Sequence, residues 1–329
     1  MSMADPLTPL SLETLPPHLA GGVVAIGNFD GVHRGHQALL AATRSEARSR
    51  GLKALVLTFE PHPRDFFRPD PPVFRLTPPA AKARLLTALG FDGLVVLPFD
   101  RDLAAMEPGR FVEKVLVGGL GVAGAVVGHD FHFGRDRAGT PAFLGAAAAR
   151  HGFRLAVLAP VVDTGGVPFS SSRIRALLEA GDVAAANEAL GYRFFVLGTV
   201  IDGDKRGREL GYPTANIRLG ADSRLRHGIY AVEMTRADGT VLEGVASYGR
   251  RPTFDDGPPL LEVFAFDFSG DLYGERVAVR FHTFLRGEEK FDSVAALIAQ
   301  MDRDSAAARA ILAEAAAPGP IDRALPAPL

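Results

Sequence analysis

Five short, continuously apolar runs lie between residues 22 and 160: GVVAIG (22–27), ALVLTF (54–59), LVVLPF (94–99), AGAVVG (123–128) and RLAVLAP (154–160). Helix-length patterns part them, near 35–50, 78–89, 108–117 and 140–151. Strands that are apolar at every position must be covered on both faces, and strands parted by helices are joined by crossovers. This alternation restricts the first half to a doubly wound parallel-sheet α/β domain. After LGYRFFVLGTV the texture changes: RFFVLGTVI, GIYAVEMT, LEGVASYG, LEVFAFDF and RVAVRFHTF follow between about 193 and 285, separated by Gly- and Asp-rich turns without an intervening helix. That spacing predicts an antiparallel β-barrel. A C-terminal helix over 292–315 comes next, and APGPIDRALPAP closes the chain as a Pro- and Ala-rich tail expected to be disordered. The expected domains are therefore 1–190, 191–315 and a disordered 316–329. No internal repeat is evident.

With 329 residues, 47% of them hydrophobic, the chain can fill two cores. Its formal net charge of -2 lacks the basic excess of a polyanion binder, so nucleic acid is not an expected partner. The absence of cysteine excludes a disulfide framework, a thiolate zinc site and a cysteine nucleophile, and fits a cytosolic setting. The first twenty residues lack a basic region followed by an apolar core, and no later run approaches the roughly 20 apolar residues of a membrane span. A soluble, cytoplasmic protein with small-molecule partners is expected; self-association is left open.

The chemistry concentrates at AIGNFDGVHRGHQALL (25–40), where the first strand turns into the first helix. Such βα turns bind nucleotides because unpaired N–H groups and the positive end of a helix dipole point at phosphate. Gly27 and Gly31 allow close backbone approach. His33 and His36, three residues apart at the helix start, share one face, and imidazoles donating to a bridging oxygen would stabilise the charge that develops as pyrophosphate leaves. A zinc site is the weaker reading, for want of a third ligand.

GNFDGVHRGH resembles the HxGH signature of the nucleotidyltransferase superfamily, in the form carried by bacterial bifunctional riboflavin kinase/FAD synthetases. The superfamily's second signature is matched by SSSRIR (170–175). There Ser171 and Ser172 offer hydroxyls and N–H groups at a helix start, beyond plain N-capping, and Arg175 offers a guanidinium for a triphosphate. The resemblance implies that Gly27, Asn28, Phe29 and Asp30 hold the nucleotide. TFEPHPR (58–64) is similar to the family's flavin-bordering loop, which implicates Phe59 and Pro61. GHDFHFGRDRAGT (128–140) resembles another loop of that branch and implicates Asp130 and Phe131, although His132 and Thr140 stand where the family usually has Arg and Asp. GLGVAG (119–124) satisfies the dinucleotide pattern but follows a helix and feeds a strand, so it reads as a helix-to-strand turn.

In the second half, GDKRGRELGYPTANI (203–217) combines a glycine-flanked basic loop with Pro-Thr-Ala-Asn. Lys205 and Arg206 suit phosphates, and Thr214 and Asn216 are neutral oxygen donors of the kind Mg²⁺ accepts beside phosphate oxygens. No Walker A pattern exists. The segment resembles the Gly-Arg…Pro-Thr-Ala-Asn motif of riboflavin kinases, which assigns Gly203, Lys205, Gly207 and Arg208 to the nucleotide and Thr214 and Asn216 to the metal. GRRPTF (249–254), LEVFAFDFSGDLYG (261–274) and FHTFLRGEEKF (281–291) continue the likeness. It implies that Glu262 is the base for the ribityl 5′-hydroxyl, on a strand face shared with Leu260 and Phe264. Arg286, Glu288 and Phe291 are implied at the flavin ring, with Gly287 in place of a frequent proline.

The resemblance covers about residues 20–310 and implies two consecutive reactions: riboflavin and ATP to FMN and ADP in the barrel, then FMN and ATP to FAD and pyrophosphate in the α/β domain. Flavins are substrates and products, and Mg²⁺ accompanies ATP. The alternatives are an FMN adenylyltransferase whose barrel only binds flavin, a non-catalytic flavin-binding protein, and a tRNA-linked HxGH synthetase, which the even charge disfavours.

Overall fold

The computed structural model describes residues 5–203, 211–249 and 259–328. The chain divides into two compact units that meet between Ser171 and Ser172.

The first unit holds β1 (Pro9–Leu10), β2 (Val23–Ile26), α1 (Arg34–Ser49), β3 (Ala54–Glu60), α2 (Pro63–Phe67), α3 (Pro79–Ala88), β4 (Gly93–Pro98), α4 (Arg101–Ala104), α5 (Pro108–Phe111), β5 (Gly124–Gly128), α6 (Pro141–His151) and β6 (Arg154–Leu158). Its strands form one parallel sheet in the order β1-β4-β3-β2-β5-β6. All four residues of β2 are buried, as an all-apolar central strand requires. Edge strand β6 is largely exposed. The core packs Val24, Ile26, Leu55, Leu57, Val95 and Val127 from the sheet against Phe111, Leu116 and Leu144 from the helices.

The helix expected over 108–117 is α-helical only at its start and continues as a wider π-helical turn over Val112–Gly119. The glycine pair permits this: a Cβ on Gly118 would lie 3.0 Å from the Glu113 carbonyl oxygen, and one on Gly119 3.1 Å from that of Lys114. Gly121, at φ +57, then turns the chain toward β5.

The second unit opens with α7 (Ser171–Ala180, its first residue belonging to the first unit) and α8 (Val183–Leu190). Then come β7 (Phe195–Ile201), β8 (Ala215–Arg218), β9 (Gly228–Thr235), β10 (Val241–Gly249), β11 (Leu260–Ala265), β12 (Arg276–Arg286), α9 (Val294–Glu314) and α10 (Pro320–Ala324). The strands close a barrel in the order β10-β11-β8-β7-β12-β9. Strand β8 is not among the sequence-predicted runs: the Ala-Asn-Ile-Arg segment is short but pairs with both β7 and β11. Asn187 of α8 donates to the Phe281 carbonyl and accepts from the Phe194 N–H, tying that helix to the barrel.

The tail departs from expectation. Residues 316–325, expected to be disordered, include α10 and pack with Ile321 and Leu325 buried. Asp322 accepts from the Arg193 and Gly319 N–H groups, and Arg280 reaches its carbonyl. Composition alone could not reveal Arg193 and Arg280 as partners, which lie 129 and 42 residues earlier in the chain.

Candidate active sites

In the first unit the strand order reverses between β2 and β5, so a crevice opens outside the carboxyl ends of these two strands. The turn 27–33 leaves β2 at that place, and the loop with Asp130 and Phe131 leaves β5. The turn is unusual. Phe29, Gly31 and Val32 take φ of +47°, +85° and +39°, and a β-branched residue there is an outlier that surrounding structure must hold. The restraint comes from segment 76–77. Asp30, 1% exposed, accepts from the N–H groups of Thr77 (2.9 Å) and Leu76 (3.3 Å). The Thr77 hydroxyl accepts from the Gly31 N–H (2.8 Å) and donates to the Phe29 carbonyl (3.2 Å). Ser171 Oγ donates to the Asp30 carbonyl (2.8 Å).

Asp30 thus shapes the turn with its carboxylate, and Phe29 is buried beneath it, its ring 3.2 Å from where a Cβ on Gly27 would stand. Gly27 and Asn28 retain exposure. Thr77 carries no motif signal, and only its position 46 residues away in the fold reveals its role.

His33 caps α1: its Nδ1 accepts the His36 N–H at 3.3 Å, so the neutral ring carries its proton on Nε2. The His33 and His36 rings stack with centroids 3.7 Å apart and 21° between planes, and Phe29 meets His36 edge-on at 5.3 Å. Burial pulls His33 down to about 4, against the opposing pull of Asp30 and Asp130. His36 is held well below the ordinary histidine value by desolvation first, then by His33 and Lys82. Its Nδ1 is shut off from solvent without a hydrogen-bond partner among the described residues. Both imidazoles are therefore neutral N–H donors near pH 7, suited to stabilising a developing oxyanion without offering a permanent charge. Among the described residues no group of three His, Cys, Asp or Glu side chains is arranged to hold a metal ion.

Pro61 and Asp130 are exposed and Phe131 is half-buried, stacked on Phe133 at 5.3 Å. Phe59 is instead nine-tenths buried in the core, edge-on to Phe99. Thr140 caps α6, accepting from the Phe143 N–H at 3.1 Å, so this departure keeps the capping function an aspartate would supply. His132 Nδ1 lies 2.8 Å from the Asp130 carbonyl oxygen. Ser172 and Arg175 sit one helical turn apart on α7, in the second unit.

In the barrel, burial alternates along β11: Leu261, Val263 and Ala265 face the interior while Leu260, Glu262 and Phe264 stay half-buried on the other face. Cross-strand pairing then lines up one outer row. Asn216 of β8 is opposite Glu262 of β11, Glu262 opposite Ser247 of β10, Ser247 opposite Ile229 of β9, and Ile229 opposite Arg286 of β12. Three sequence-predicted residues 46 and 24 positions apart thereby share a row. Asn216 Nδ2 donates to the Thr214 carbonyl at 3.3 Å, and its amide presses on Gly203, where a Cβ would stand 2.4 Å away.

The Arg286 guanidinium forks onto Asp304 of α9 (2.9 and 2.7 Å) and lies 5.8 Å from the Phe291 ring centre. Glu288 packs against Gly249, where a Cβ would fall 1.8 Å from its Oε1. Tyr212, just before the Pro-Thr-Ala-Asn segment, donates to Asp302 of α9 and packs on Phe264 at 4.7 Å. Helix α9 therefore braces two sides of the row, a role its sequence did not suggest. Lys205, Gly207, Arg208 and most of GRRPTF lie outside the described residues.

A switch-point crevice with a histidine pair, joined in one chain to a small antiparallel barrel with a polar outer row, defines a nucleotidyltransferase unit plus a kinase-type flavin barrel. Comparison with known proteins agrees. Residues 15–173 match the FAD synthetase family model and residues 190–312 the riboflavin kinase model. A bifunctional riboflavin kinase/FMN adenylyltransferase from Pseudomonas fluorescens is 43% identical over 93% of this chain and 97% of its own, and one from Escherichia coli K12 is 39% identical over 88% and 92%. The chain belongs to the bifunctional riboflavin kinase/FMN adenylyltransferase family, and converts riboflavin to FMN and FMN to FAD.

A crystal structure described as a macrolide-efflux protein from Streptococcus pneumoniae shares the fold, with TM-score 0.81 and 31% identity over 92% of this chain and 98% of its own. Its description does not carry over as a membrane assignment: among the described residues no helix is long and apolar enough to cross a membrane.

Proposed function

We propose that Glu262 is the general base of the kinase reaction and that the His33–His36 pair stabilises the adenylyl-transfer transition state. The observation that carries this reading is the outer row, in which Glu262 stands directly opposite Asn216 and in line with Arg286. In the first reaction Glu262 takes the proton of the ribityl 5′-hydroxyl as its oxygen attacks the γ-phosphorus of ATP and the bond to ADP breaks. Thr214 and Asn216 fit Mg²⁺, because a hydroxyl and an amide or carbonyl oxygen are hard neutral donors that leave charge balance to the phosphates. Bound there, the ion supplies neutralisation of phosphate charge. Arg286, Glu288 and Phe291 hold the flavin side, and Gly203, Lys205, Gly207 and Arg208 the nucleotide side.

In the second reaction an FMN phosphate oxygen attacks the α-phosphorus of ATP and the bond to pyrophosphate breaks. The N–H groups of His33 and His36 donate to the departing oxygens. Gly27, Asn28 and Ser171 hold the triphosphate, Ser172 and Arg175 are assigned to the same step by the sequence likeness alone, Phe29 and Asp30 support the turn from below, and Pro61, Asp130 and Phe131 serve the flavin, with Phe59 behind them in the core. The formal net charge of -2, without a basic excess, supports small-molecule partners without nucleic acid, and the cysteine-free composition supports a cytoplasmic location.

The test is Glu262→Gln, with products of each half-reaction separated by chromatography. FMN formation is expected to fall by about 10²–10⁴-fold, the usual worth of a positioned base, while adenylylation of supplied FMN continues. FMN formation at the wild-type rate would remove Glu262 from its role.

A further inference from the structure

Lys82 belongs to no motif and takes no part in the steps above, yet its side chain is 2% exposed in the first unit. A buried ammonium is costly, and an ordinary core position would accept an apolar side chain of similar length at no loss. Its surroundings explain what the charge is for. Lys82 Nζ, from α3, donates to Thr58 Oγ1 and to Glu60 Oε1, both at 3.2 Å. Thr58 Oγ1 passes the chain on by donating to the Asn28 carbonyl at 3.2 Å. Glu60 receives the Arg75 guanidinium in two bonds of 2.7 and 3.0 Å, and Arg75 Nε lies 3.9 Å from Asp30 Oδ1. Two arms thus run from one ammonium to the left-handed turn, reaching its start at Asn28 and its middle at Asp30.

We infer that Lys82 is a positioning residue for adenylyl transfer, setting the turn 28–33 through Thr58 and Glu60. The inference rests on the reading of His33 and His36 as the adenylyl-transfer pair. The network is balanced, two cations against two anions, so it can be buried without a net charge. Burial pushes the Glu60 carboxyl up, but Arg75 and Lys82 outweigh it and hold Glu60 ionised. Burial is the main influence against a proton on His36, followed by the neighbouring His33 ring and then by the Lys82 ammonium reaching it from α3. Asp30 and Asp130 act on His33 in the opposite sense.

The experiment compares Lys82→Met and Thr58→Val with the wild-type full chain in both half-reactions. Lys82→Met is expected to lower kcat for adenylylation of FMN by about 100-fold, the scale of a small misplacement of catalytic groups, while riboflavin phosphorylation stays unchanged. The acid limb of its adenylyl-transfer pH profile should move to higher pH, because His36 accepts a proton more readily without the ammonium. Thr58→Val, which removes one arm and keeps the charge, should lower that kcat by about 10-fold with the acid limb in place. Wild-type adenylyl transfer and an unmoved pH profile in Lys82→Met overturn the inference, as does an equal fall in both reactions. Should Lys82→Met fail to fold, Thr58→Val decides alone, and a wild-type rate there overturns it. His36→Ala separates the underlying reading: full adenylyl transfer in that variant defeats the histidine assignment whatever Lys82 does.

Discussion

The His33 and His36 imidazoles lie face to face, 3.7 Å between centroids, because the residue between Arg34 and His36 has no side chain. A Cβ on Gly35 would stand 3.1 Å from His33 Cε1. Gly35→Ala should therefore push the ring by a few tenths of an ångström and lower kcat for FMN adenylylation by about 10-fold. Riboflavin phosphorylation in the same preparation serves as the control, and should not change.

The histidine pair also sets a pH dependence. The folded-state value of His33, about 4, lies below its ordinary 6.5, so the folded protein resists a proton that the unfolded chain accepts. The contribution is fully present above pH 6.5 and is lost as pH falls toward 4, amounting to about 3 kcal/mol at the acid end. Thermal melts of wild type and His33→Gln at pH 7.5 and pH 4.5 should show the wild type losing more stability than the variant on acidification.

In the barrel, Gly203 leaves room for the Asn216 amide, and an added methyl would overlap it at 2.4 Å. Gly203→Ala is expected to raise KM for MgATP in the kinase reaction by about 10-fold, the worth of one displaced polar contact. KM for ATP in adenylyl transfer should stay put. Steady-state kinetics of the two half-reactions resolve the difference.

The C-terminal segment is a structural element of the barrel. Deleting 316–329 removes the Asp322 and Ala316 contacts of Arg193 and Arg280 together with the buried side chains of Ile321 and Leu325. The expected result is a drop in Tm of about 5 °C, read by calorimetry. A disordered tail would leave Tm unmoved.

The amino-acid sequence by itself determined the two architectures, because strand and helix periodicity and full-face apolarity are properties of neighbouring residues. The run VVAI at 23–26, followed by a helix-length pattern, predicts a central parallel strand, and the alternation around Glu262 predicts which way its carboxylate faces. It also drew attention to His33 and His36 by their spacing at a strand-to-helix turn, and to Thr214, Asn216 and Glu262 by their likeness to a known motif, since both signals are read from neighbouring residues. Only the tertiary structure decided what holds them. Asp30 turned out to shape the backbone through Leu76 and Thr77, Lys82 reached the turn through Thr58 and Glu60, and the Ala-Asn-Ile-Arg segment became a barrel strand by pairing on both sides. The tail found Arg193 and Arg280 in the same way. Each of these bonds joins residues tens of positions apart, and no local pattern encodes a partner that only chain folding brings near.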